Sequence, residues 1–481
     1  MIPEGLVVDL FAGGGGASTG IERALGRAPD IAINHSPVAI AMHAANHPTT
    51  RHYIESVYEV DPVDVTGGRP VALLWLSPDC THHSKAKGGK PRQQKIRGLA
   101  WAAIPWAQRV RPRVIALENV EEWVDWGPID RTTGQPIKER RGETFRAWRR
   151  KLERLGYAVE HRLLRAADYG APTTRRRLFL QARCDGRPIV WPEPTHARGV
   201  TCGQLELGRR AVRPWRTAAE IIDWSIPCPS IFDRARPLAD KTMARIARGI
   251  RKYVLEAARP FVIDAPLPTV ASGHALVAPY LVHRSNGERK GQAPRIYTVG
   301  APLGTIVAQG QKHAVCAAFL ARHYGDREGG WAGGLPVTGP TGAITTRDHH
   351  ALVSARLRRR SNGADGKHAE LVAAFLSRYN GASTGQLPDA PIGTLDTHDR
   401  YALVTVTIDG EVYAIVDIGM RMLTPRELFR AQGFPDGYVI DPHGVDGKPL
   451  TKTAQIRACG NAVPPHLAEA VVRAALLGGP P

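Results

Sequence analysis

Apolar strand-like segments alternate with helix-like segments through the first 185 residues, and this alternation restricts the fold more than any other feature. "GLVVDLFA" is an apolar run that ends at a glycine series, and "GASTGIERALG" follows it with the apolar spacing of a helix. Further strand-like runs are "VALLWLS" from Val71 and "PRVIALENV" from Pro112. This alternation predicts an α/β protein whose mostly parallel sheet carries helices on both faces.

Three further segments of the chain allow finer predictions. "IRGLAWAAIPWAQRV", residues 96–110, predicts a single helix between the last two strands. "RELFRAQ" predicts a short amphipathic helix that ends at Gly433. Residues 455–478 predict a loop followed by a last helix, so the chain returns to α/β character near its end.

Proline and glycine become dense after about residue 186, where an internal repeat replaces the helical spacing. Its four copies begin at Pro266, Pro302, Pro340 and Pro391. Each copy has a threonine or alanine followed by an apolar residue, then a polar turn and an Ala-Leu-Val-like strand. We expect two-strand units stacked in an array, because one such unit cannot bury its own apolar face. Their polar tips are either duplicated scaffold or a surface that faces nucleic acid.

The chain carries a formal net charge of +19, from 64 Lys and Arg against 45 Asp and Glu in 481 residues. Arginine clusters such as "TTRRRLF" and "ARLRRRSNG" favour a nucleic-acid partner over a generally basic surface. Six scattered cysteines are typical of a reducing cytosol and predict neither a disulfide framework nor a zinc cluster. Apolar runs are strand-sized and the N-terminus resembles no signal peptide, so we expect a cytoplasmic protein without a membrane partner.

The glycine series after the first strand is typical of a site for a nucleotide-like cofactor. Glycines let a ligand approach the backbone, and the helix that follows offers free amides. An NAD-dependent enzyme would place an acidic residue at the end of the second strand, for the ribose hydroxyls. Asn34 stands there instead, which argues against an oxidoreductase.

Two residues at strand ends are candidates for chemistry. Cys80 lies in a polar loop with His82, His83 and Lys85, whose positive charge would favour a thiolate. It is either a nucleophile or an ordinary partly buried thiol. Glu118 lies at the end of the next strand. If its carboxyl group is buried, its proton affinity is raised and it can take part in proton transfer. If it is solvated, it is an ordinary surface or helix-capping acid. The residues alone leave both alternatives open.

Five motifs in one order carry a resemblance to a known family. "DLFAGGGG", "ENV", "DYGAPTTRRRLF", "RELFRAQGFPD" and "GNAVPP" resemble the DNA (cytosine-5) methyltransferases over residues 1–185 and 418–475. The resemblance implies a Rossmann-like, S-adenosylmethionine-dependent methyltransferase fold with a mostly β, repeat-containing target-recognition insert. It also implies a catalytic domain at 1–185, a target-recognition region at 186–417 and a segment at 418–481 that completes the catalytic domain.

The same resemblance implies catalytic roles for four residues. Cys80 would add to carbon 6 of cytosine and so make carbon 5 nucleophilic, and Glu118 would bind the N3 and amino edge of the base. Arg175 and Arg177 match the family's basic pair that contacts the target nucleotide. The base has to leave the double helix, because carbon 6 is inaccessible within the stack. The residue that removes the carbon-5 proton is not apparent, and water is an alternative.

The family's methyl donor is S-adenosyl-L-methionine, and the resemblance places ten residues around it. They are Phe11, Ala12, Gly13, Gly16, Asn34, His35, Ser56, Val57, Asn461 and Ala462. No metal is expected. Asn34 and Ser56 replace the glutamate and aspartate that the family usually has at the ribose and adenine positions, and Asp79 replaces the proline usually found before the cysteine.

We expect double-stranded DNA as the partner, because the long insert after "TTRRRLF" stands where the DNA enzymes have a recognition domain. One alternative is the same chemistry on RNA. A second is a DNA-binding protein that has lost turnover, for which only Asp79 and Asn34 speak. A monomer of prokaryotic or phage origin, with a cognate restriction endonuclease as a further partner, completes the expectations.

Overall fold

The structure is a computed structural model, and its described residues form two compact units. It describes residues 4–80, 82–83, 93–200, 212–226, 228–257, 262–266, 274–283, 293, 295–303, 305–306, 313–322, 405–408, 411–444 and 446–478. The first unit comprises Met1–Ile221, Pro302–Gly310 and Thr424–Pro481, and the second comprises Ile222–Ala301 and Gln311–Leu423. The predicted boundaries after residues 185 and 417 stay predictions.

The first unit contains a seven-stranded sheet. Its strands are β1 (Leu6–Leu10), β2 (Ile31–Ile33), β3 (Arg51–Tyr53), β4 (Val71–Leu76), β5 (Val114–Asn119), β6 (Ala158–Arg165) and β7 (Arg176–Arg183). Their order is β3-β2-β1-β4-β5-β7-β6. The strands from β1 to β5 pair in parallel, and β7 runs antiparallel to both of its neighbours. The predicted Rossmann-like α/β fold with a mostly parallel sheet is therefore confirmed.

Helices cover both faces of this sheet. The α-helices of the described residues, in chain order and in both units, are α1 (Gly16–Leu25), α2 (Pro37–Asn46), α3 (Pro62–Thr66), α4 (Gln94–Arg97), α5 (Ala103–Arg109), α6 (Glu143–Arg154), α7 (Asp240–Ile250), α8 (Pro425–Gln432), α9 (Lys452–Asn461) and α10 (Pro465–Val472). Helix α7 belongs to the second unit and the others to the first. Val8 of β1 enters a core with Trp148 of α6, whereas Val7 enters a core with Ile21 of α1 and Leu467 of α10. Alternate side chains of one buried strand thus serve two cores.

One of the helix predictions is wrong, and another is confirmed only in part. The structure divides the single helix expected over residues 96–110 into α4, a short 3-10 helix and α5. Gly98 interrupts the helical pattern. Pro105 has no N–H, so it fits only the first turn of a new helix. Residues 455–478 hold the expected loop, at residues 462–464, and the expected last helix, which is α10. The residues before that loop form the second half of α9, which Thr451 caps by accepting a hydrogen bond from the Ala454 N–H. The predicted helix ending at Gly433 is confirmed as α8.

The second unit is built on an antiparallel sheet. Its strands are β10 (Ile263–Pro266), β11 (His274–His283), β12 (Ile296–Thr298), β13 (His313–Arg322), β14 (Thr405–Ile408) and β15 (Glu411–Met422), and a small pair in the first unit is β8 (His196–Ala197) with β9 (Arg213–Pro214). The order is β10-β11-β13-β15-β14, with β12 beside β11. Helix α7 packs on this sheet, where a Cβ on Gly249 would lie 2.0 Å from the Tyr280 ring.

The internal repeat is only partly reflected in the structure. The strands of the first two copies are β11 and β13, which pair antiparallel. The second copy, however, opens with Pro302–Gly310, which belongs to the first unit because Leu303 forms a β-bridge with Thr173. The expectation of equivalent two-strand units is therefore wrong for this copy. The copies that begin at Pro340 and Pro391 lie outside the described residues.

In the described part of the chain, no helix combines the length and the apolar character needed to cross a bilayer.

Candidate active site

One edge of the seven-stranded sheet gathers most of the predicted site residues. Leu10 of β1 pairs with Ile33 of β2 and Leu76 of β4, and Ile33 pairs in turn with Tyr53 of β3. The carboxyl ends of four parallel strands are therefore level, and ligands of open α/β sheets bind at such an edge. The loops that leave this edge carry the glycine series, the asparagine, the serine and the cysteine of the predicted site.

Glu118 and Arg177 form a buried ion pair beside the cysteine loop. Glu118 is the next-to-last residue of β5, and its carboxylate Oε1 lies 3.2 Å from Arg177 Nε. The antiparallel pairing of β7 with β5, which sets Glu118 opposite Phe179, brings the start of β7 to this position. Cys80 follows β4, the parallel neighbour of β5, and is partly buried. The structure thus brings together a thiol, a carboxylate and a guanidinium.

Burial and four charges set the pKa of Cys80. Burial is the largest influence and raises that pKa, Arg177 and Arg175 lower it, and Glu118 and Asp79 raise it. The net shift is upward, so the free protein holds this sulfur mainly as a thiol at neutral pH. Asp79, the residue before Cys80, is thus one of the two negative charges that oppose thiolate formation.

The histidines of the cysteine loop have structural partners. His82 Nδ1 accepts a hydrogen bond from the Gln93 N–H at 2.7 Å, which requires a neutral ring, and His83 Nε2 lies 3.3 Å from the Arg97 carbonyl oxygen. The expectation that His82 places positive charge beside Cys80 is therefore wrong, and two arginines supply that charge instead. Lys85 lies outside the described residues.

The pKa of Glu118 is also raised. Its carboxyl group is fully enclosed, and the resulting desolvation outweighs the opposite influence of Arg177 and Arg175. A carboxyl group in this state holds a proton more readily than a surface glutamate does. It can therefore share a proton with a bound base more readily than a solvated glutamate can.

Two side chains that were not predicted as site residues hold the cysteine loop. Asn119 Nδ2 donates to the Pro78 carbonyl at 3.1 Å. Arg97 is buried and donates to the carbonyls of His82 and Gly127, both at 3.1 Å. Asn119 belongs to the quoted "ENV" motif and was visible as a strand-end residue. The sequence around Arg97 did not indicate this role, because the partners of Arg97 are backbone atoms of two separate loops.

The glycine series at the end of β1 has two different functions in the fold. A Cβ on Gly13 would meet no atom within 4 Å, so this residue faces open space. A Cβ on Gly16 would lie 2.1 Å from the Val463 carbonyl oxygen, so this glycine permits close packing of the C-terminal segment. Phe11 has a positive φ of 64°, which only a few per cent of non-glycine residues adopt. Ala12, between them, is buried.

The other predicted donor residues lie on loops at the same edge or on the C-terminal segment. Asn34 Nδ2 donates to the Ala12 carbonyl at 2.9 Å, so this residue, predicted for the ribose, connects the end of β2 to the glycine loop. His35 is exposed, Ser56 is half-buried, and Val57 is buried. On the C-terminal segment, Asn461 ends α9 and is exposed.

Ala462 brings that segment to the glycine loop. Its Cβ would lie 3.2 Å from a Cβ on Gly16. The predicted donor residues from both ends of the sequence therefore meet. Arg175 is 2% exposed and donates through Nη1 to two backbone carbonyls, and its predicted nucleotide contact stays a prediction.

Comparisons with known proteins match the same regions. The family model described as C-5 cytosine-specific DNA methylase matches residues 6–196 and 349–476. Type II methyltransferase M.AgeI of Thalassovita gelatinovora is 28% identical over 41% of this chain and 43% of its own length. Type II methyltransferase M.AquIA of Picosynechococcus is 26% identical over 46% of this chain and 88% of its length. Type II methylase M.HgiDII of Herpetosiphon aurantiacus is 32% identical over 40% of this chain and 50% of its length.

The alignments thus span about half or less of the length of two of these three relatives. The family model, in contrast, covers more than half of this chain, including the cysteine loop, the Glu118–Arg177 pair and the segment around Ala462. The sheet order and the site at the strand ends agree with this match, and the chain belongs to the C-5 cytosine-specific DNA methylase family.

Proposed function

We propose that this protein transfers a methyl group from S-adenosyl-L-methionine to carbon 5 of a flipped-out cytosine in a short duplex DNA site. The observation that carries the proposal is the grouping of Cys80 with the buried Glu118–Arg177 pair at the carboxyl edge of the sheet. Carbon 5 of cytosine is a weak nucleophile until a thiolate adds to carbon 6, and this grouping supplies the thiolate and the proton partner that such an addition needs.

The chain's own residues carry the covalent step. The Cys80 thiol first loses its proton to solvent. The thiolate sulfur then forms a bond to carbon 6, and the π electrons of the 5,6 double bond move onto carbon 5. Glu118 holds the N3 edge of the base and shares its proton with N3, while Arg177 fixes the carboxyl group in place. After methylation a base removes the carbon-5 proton, the double bond re-forms and the sulfur leaves. Cys80 is thus regenerated.

The residues at the carboxyl edge of the sheet fit an S-adenosylmethionine molecule, which supplies the methyl group as an electrophilic sulfonium. Gly13 has open space where a side chain would be, and the exposed His35 and half-buried Ser56 lie on loops at the same edge. The departures at Asn34 and Ser56 remove two carboxylates, so we expect hydrogen bonding by neutral groups to the ribose and the adenine.

Double-stranded DNA is the proposed partner. The net charge of +19 favours contacts with phosphates, and extrusion of the target base costs a few kcal/mol that such contacts offset. We propose that the second unit reads the base sequence, since the family match is interrupted between residues 196 and 349. A cognate restriction endonuclease and a monomeric state remain part of the proposal.

Covalent trapping tests the proposal directly. A 5-fluorocytosine duplex blocks the final elimination, because carbon 5 then carries fluorine in place of a removable proton. With donor present, we expect a protein–DNA adduct that resists denaturation and maps to Cys80 by peptide mass spectrometry. Cys80→Ser should form no adduct. Cys184→Ser is the matched control, because Cys184 is also partly buried but contacts the Pro112 carbonyl away from the site.

The same assay separates the alternatives. An adduct on RNA that contains 5-fluorocytosine, without one on duplex DNA, would replace the proposed substrate by RNA. DNA binding without any adduct or radiolabel transfer would indicate a binding protein that has lost turnover. An adduct on Cys80→Ser would exclude position 80 as the nucleophile.

A further inference from the structure

A short segment of the first unit lies in sequence between the two parts of the second unit. We call it the strap, defined by Leu303 and Ile306. The Leu303 N–H donates to the Pro172 carbonyl at 3.0 Å, and its own carbonyl accepts from the Thr174 N–H at 2.8 Å. Leu303 and Ile306 are 1% and 2% exposed. The chain on both sides of the strap, up to residue 301 and from residue 311, belongs to the second unit.

One arginine connects the strap to the C-terminal segment. Arg175 Nη1 donates to the Ile306 carbonyl and to the Gly460 carbonyl, each at 2.9 Å. Gly460 lies in the last turn of α9, where carbonyls have no partner within the helix, so Arg175 satisfies one of them. The next residue, Asn461, is one of the proposed donor contacts.

Arg175 also acts on the reacting groups without exposure to solvent. Its guanidinium is 2% exposed, and its charge lowers the pKa of both Cys80 and Glu118. The strap and the end of α9 therefore meet at one side chain, and the charge of that side chain also acts on Cys80 and Glu118. The two carbonyls come from positions 154 residues apart in sequence, 306 and 460.

We propose that Arg175 is a positioning residue that couples occupancy of the methyl-donor site to the strap. The proposal rests on the proposed function, which gives the segment after Gly460 its role as a donor contact. A ligand that orders Gly460 fixes one acceptor of Arg175, and the guanidinium then holds the second acceptor, on Ile306. Coupling of this kind is carried by contiguous hydrogen-bond networks.

The chemistry of arginine suits this role better than that of lysine. A planar guanidinium holds two carbonyls in a fixed geometry, whereas an ammonium group on a flexible stem does not fix their relative positions. Arg175→Lys therefore keeps the charge near Cys80 and loses the geometry. Ile306 and Gly460 are both buried, so water does not readily replace a hydrogen bond that the variant loses.

Hydrogen–deuterium exchange of the full-length protein tests the coupling, with S-adenosylhomocysteine as the probe. In the wild type we expect the probe to slow amide exchange in peptides that contain Gly460 and also in peptides that contain Leu303. In Arg175→Lys the protection at Gly460 should persist, and the protection at Leu303 should disappear. Slower exchange only at Gly460 in the wild type would overturn the proposal, whether or not the variant folds.

Arg183→Lys is the matched control. Arg183 is also buried on β7, and its Nη1 also donates to two carbonyls from separate segments, Pro188 at 2.9 Å and Ala475 at 3.3 Å. It lies at the opposite end of β7 from Cys80. Its lysine variant should keep the probe-dependent protection at Leu303. Loss of that protection in Arg183→Lys as well would show a general structural effect and overturn the proposal.

Kinetics provides a second readout. Arg175→Lys should slow adduct formation on 5-fluorocytosine DNA about 10²-fold, the size expected of a small misplacement of reacting groups. Its affinity for S-adenosylhomocysteine should stay within about threefold of the wild type, because the variant keeps the donor contacts. Equal losses in both quantities would overturn the positioning role. Failure of the wild type to form any adduct would instead count against the proposed function, since the exchange measurement needs only probe binding.

Discussion

The reactivity of Cys80 depends on which of its charged neighbours dominates. Burial raises its pKa, two arginines oppose that rise, and Glu118 and Asp79 add to it. In the proposed mechanism Glu118 has to hold the base. Its upward effect on the pKa of the free thiol is therefore a consequence of that role. Asp79 has no such function in the proposed mechanism, and it is the departure from the family pattern that stands closest to the sulfur.

Asp79→Asn should therefore make Cys80 more reactive. Removal of the negative charge lowers the pKa of the thiol, and a larger thiolate fraction then exists at neutral pH. We expect iodoacetamide to alkylate Cys80 a few-fold faster at neutral pH, with the rise of the rate-against-pH curve shifted to lower pH. Peptide mass spectrometry reads the rate at this cysteine alone.

A comparison with Asp436→Asn separates this local effect from net charge. Asp436 is largely exposed and pairs with Arg430, away from the cysteine loop. This variant changes the protein's charge by the same amount and should leave the alkylation curve unmoved. An unchanged or slower rate in Asp79→Asn would contradict the assigned influence of Asp79 on the thiol.

Asp9 makes folding stability depend on pH. Its carboxyl group is buried on β1, where it accepts a hydrogen bond from Ser18, and burial raises its pKa from 3.8 to about 7. The folded protein therefore binds this proton more tightly than the unfolded chain does. The resulting stability is fully present below pH 3.8 and is lost as the pH rises through about 7.

Asp9→Asn should remove this dependence. Relative to the variant, the wild type should lose up to about 1.4 kcal/mol of unfolding free energy per pH unit between about pH 4 and 7. Urea unfolding of both proteins at several pH values measures that difference. Contributions that both proteins share, such as that of His43, whose pKa is lowered by burial, cancel in the comparison. Asp125→Asn, at a surface ion pair with Arg141, is the control and should show no such slope. A difference independent of pH would contradict the raised pKa.

At the scale of elements, the glycine loop illustrates why neighbouring glycines need different explanations. Gly13 and Gly16 look equivalent in the sequence, and both were assigned to the donor. The structure places open space beside the first and the Val463 carbonyl against the second. A glycine that faces open space and a glycine that permits close packing therefore lie only three positions apart.

Two alanine variants should separate these roles. Gly13→Ala should leave the melting temperature nearly unchanged and weaken S-adenosylhomocysteine binding about tenfold, because the added methyl group occupies the space proposed for the donor. Gly16→Ala should cost roughly 1–3 kcal/mol of stability, since a backbone carbonyl must move to accept the methyl group. Thermal unfolding with and without S-adenosylhomocysteine gives both quantities. Equal destabilisation by both variants would contradict the distinction.

The sequence allowed the strands to be predicted well and the connections between distant segments poorly. The run from Val71 to Leu76 is a strand with those bounds, because a buried parallel strand is apolar throughout. The break at Gly98 and the extension of α9 to Asn461 were missed, since local propensity is weak against capping and packing.

Among the site residues, those at strand ends were predictable and those that act on backbone atoms were not. Cys80 and Glu118 follow apolar runs whose parallel pairing places their ends at one edge. Arg97 supports the cysteine loop through carbonyls at positions 82 and 127, and no residue type at those positions records the contact. The docking of Leu303 escaped prediction for the same reason.

At the scale of the whole molecule, the division into two units predicts that chemistry and sequence recognition can be exchanged separately. The first unit contains the sheet edge, both termini and the strap, whereas Ile222–Ala301 and Gln311–Leu423 form the second. Replacement of these two ranges by those of a relative with another recognition site should change the methylated sequence. Retention of Pro302–Gly310 should preserve adduct formation within about tenfold, because Arg175 keeps its partners.

The methylated sites in DNA from the expression host, mapped by bisulfite sequencing, provide the readout for this chimera. A second chimera that also exchanges Leu303 and Ile306 should recognise the same new site with slower adduct formation. The buried side chains of these two residues hold the Ile306 carbonyl beside Arg175, and the exchange alters that packing. Methylation of the original site by the first chimera would place recognition in the first unit. Sequence recognition would then be assigned to the loops around the cysteine and to the arginines of β7, and the second unit would have only a structural role.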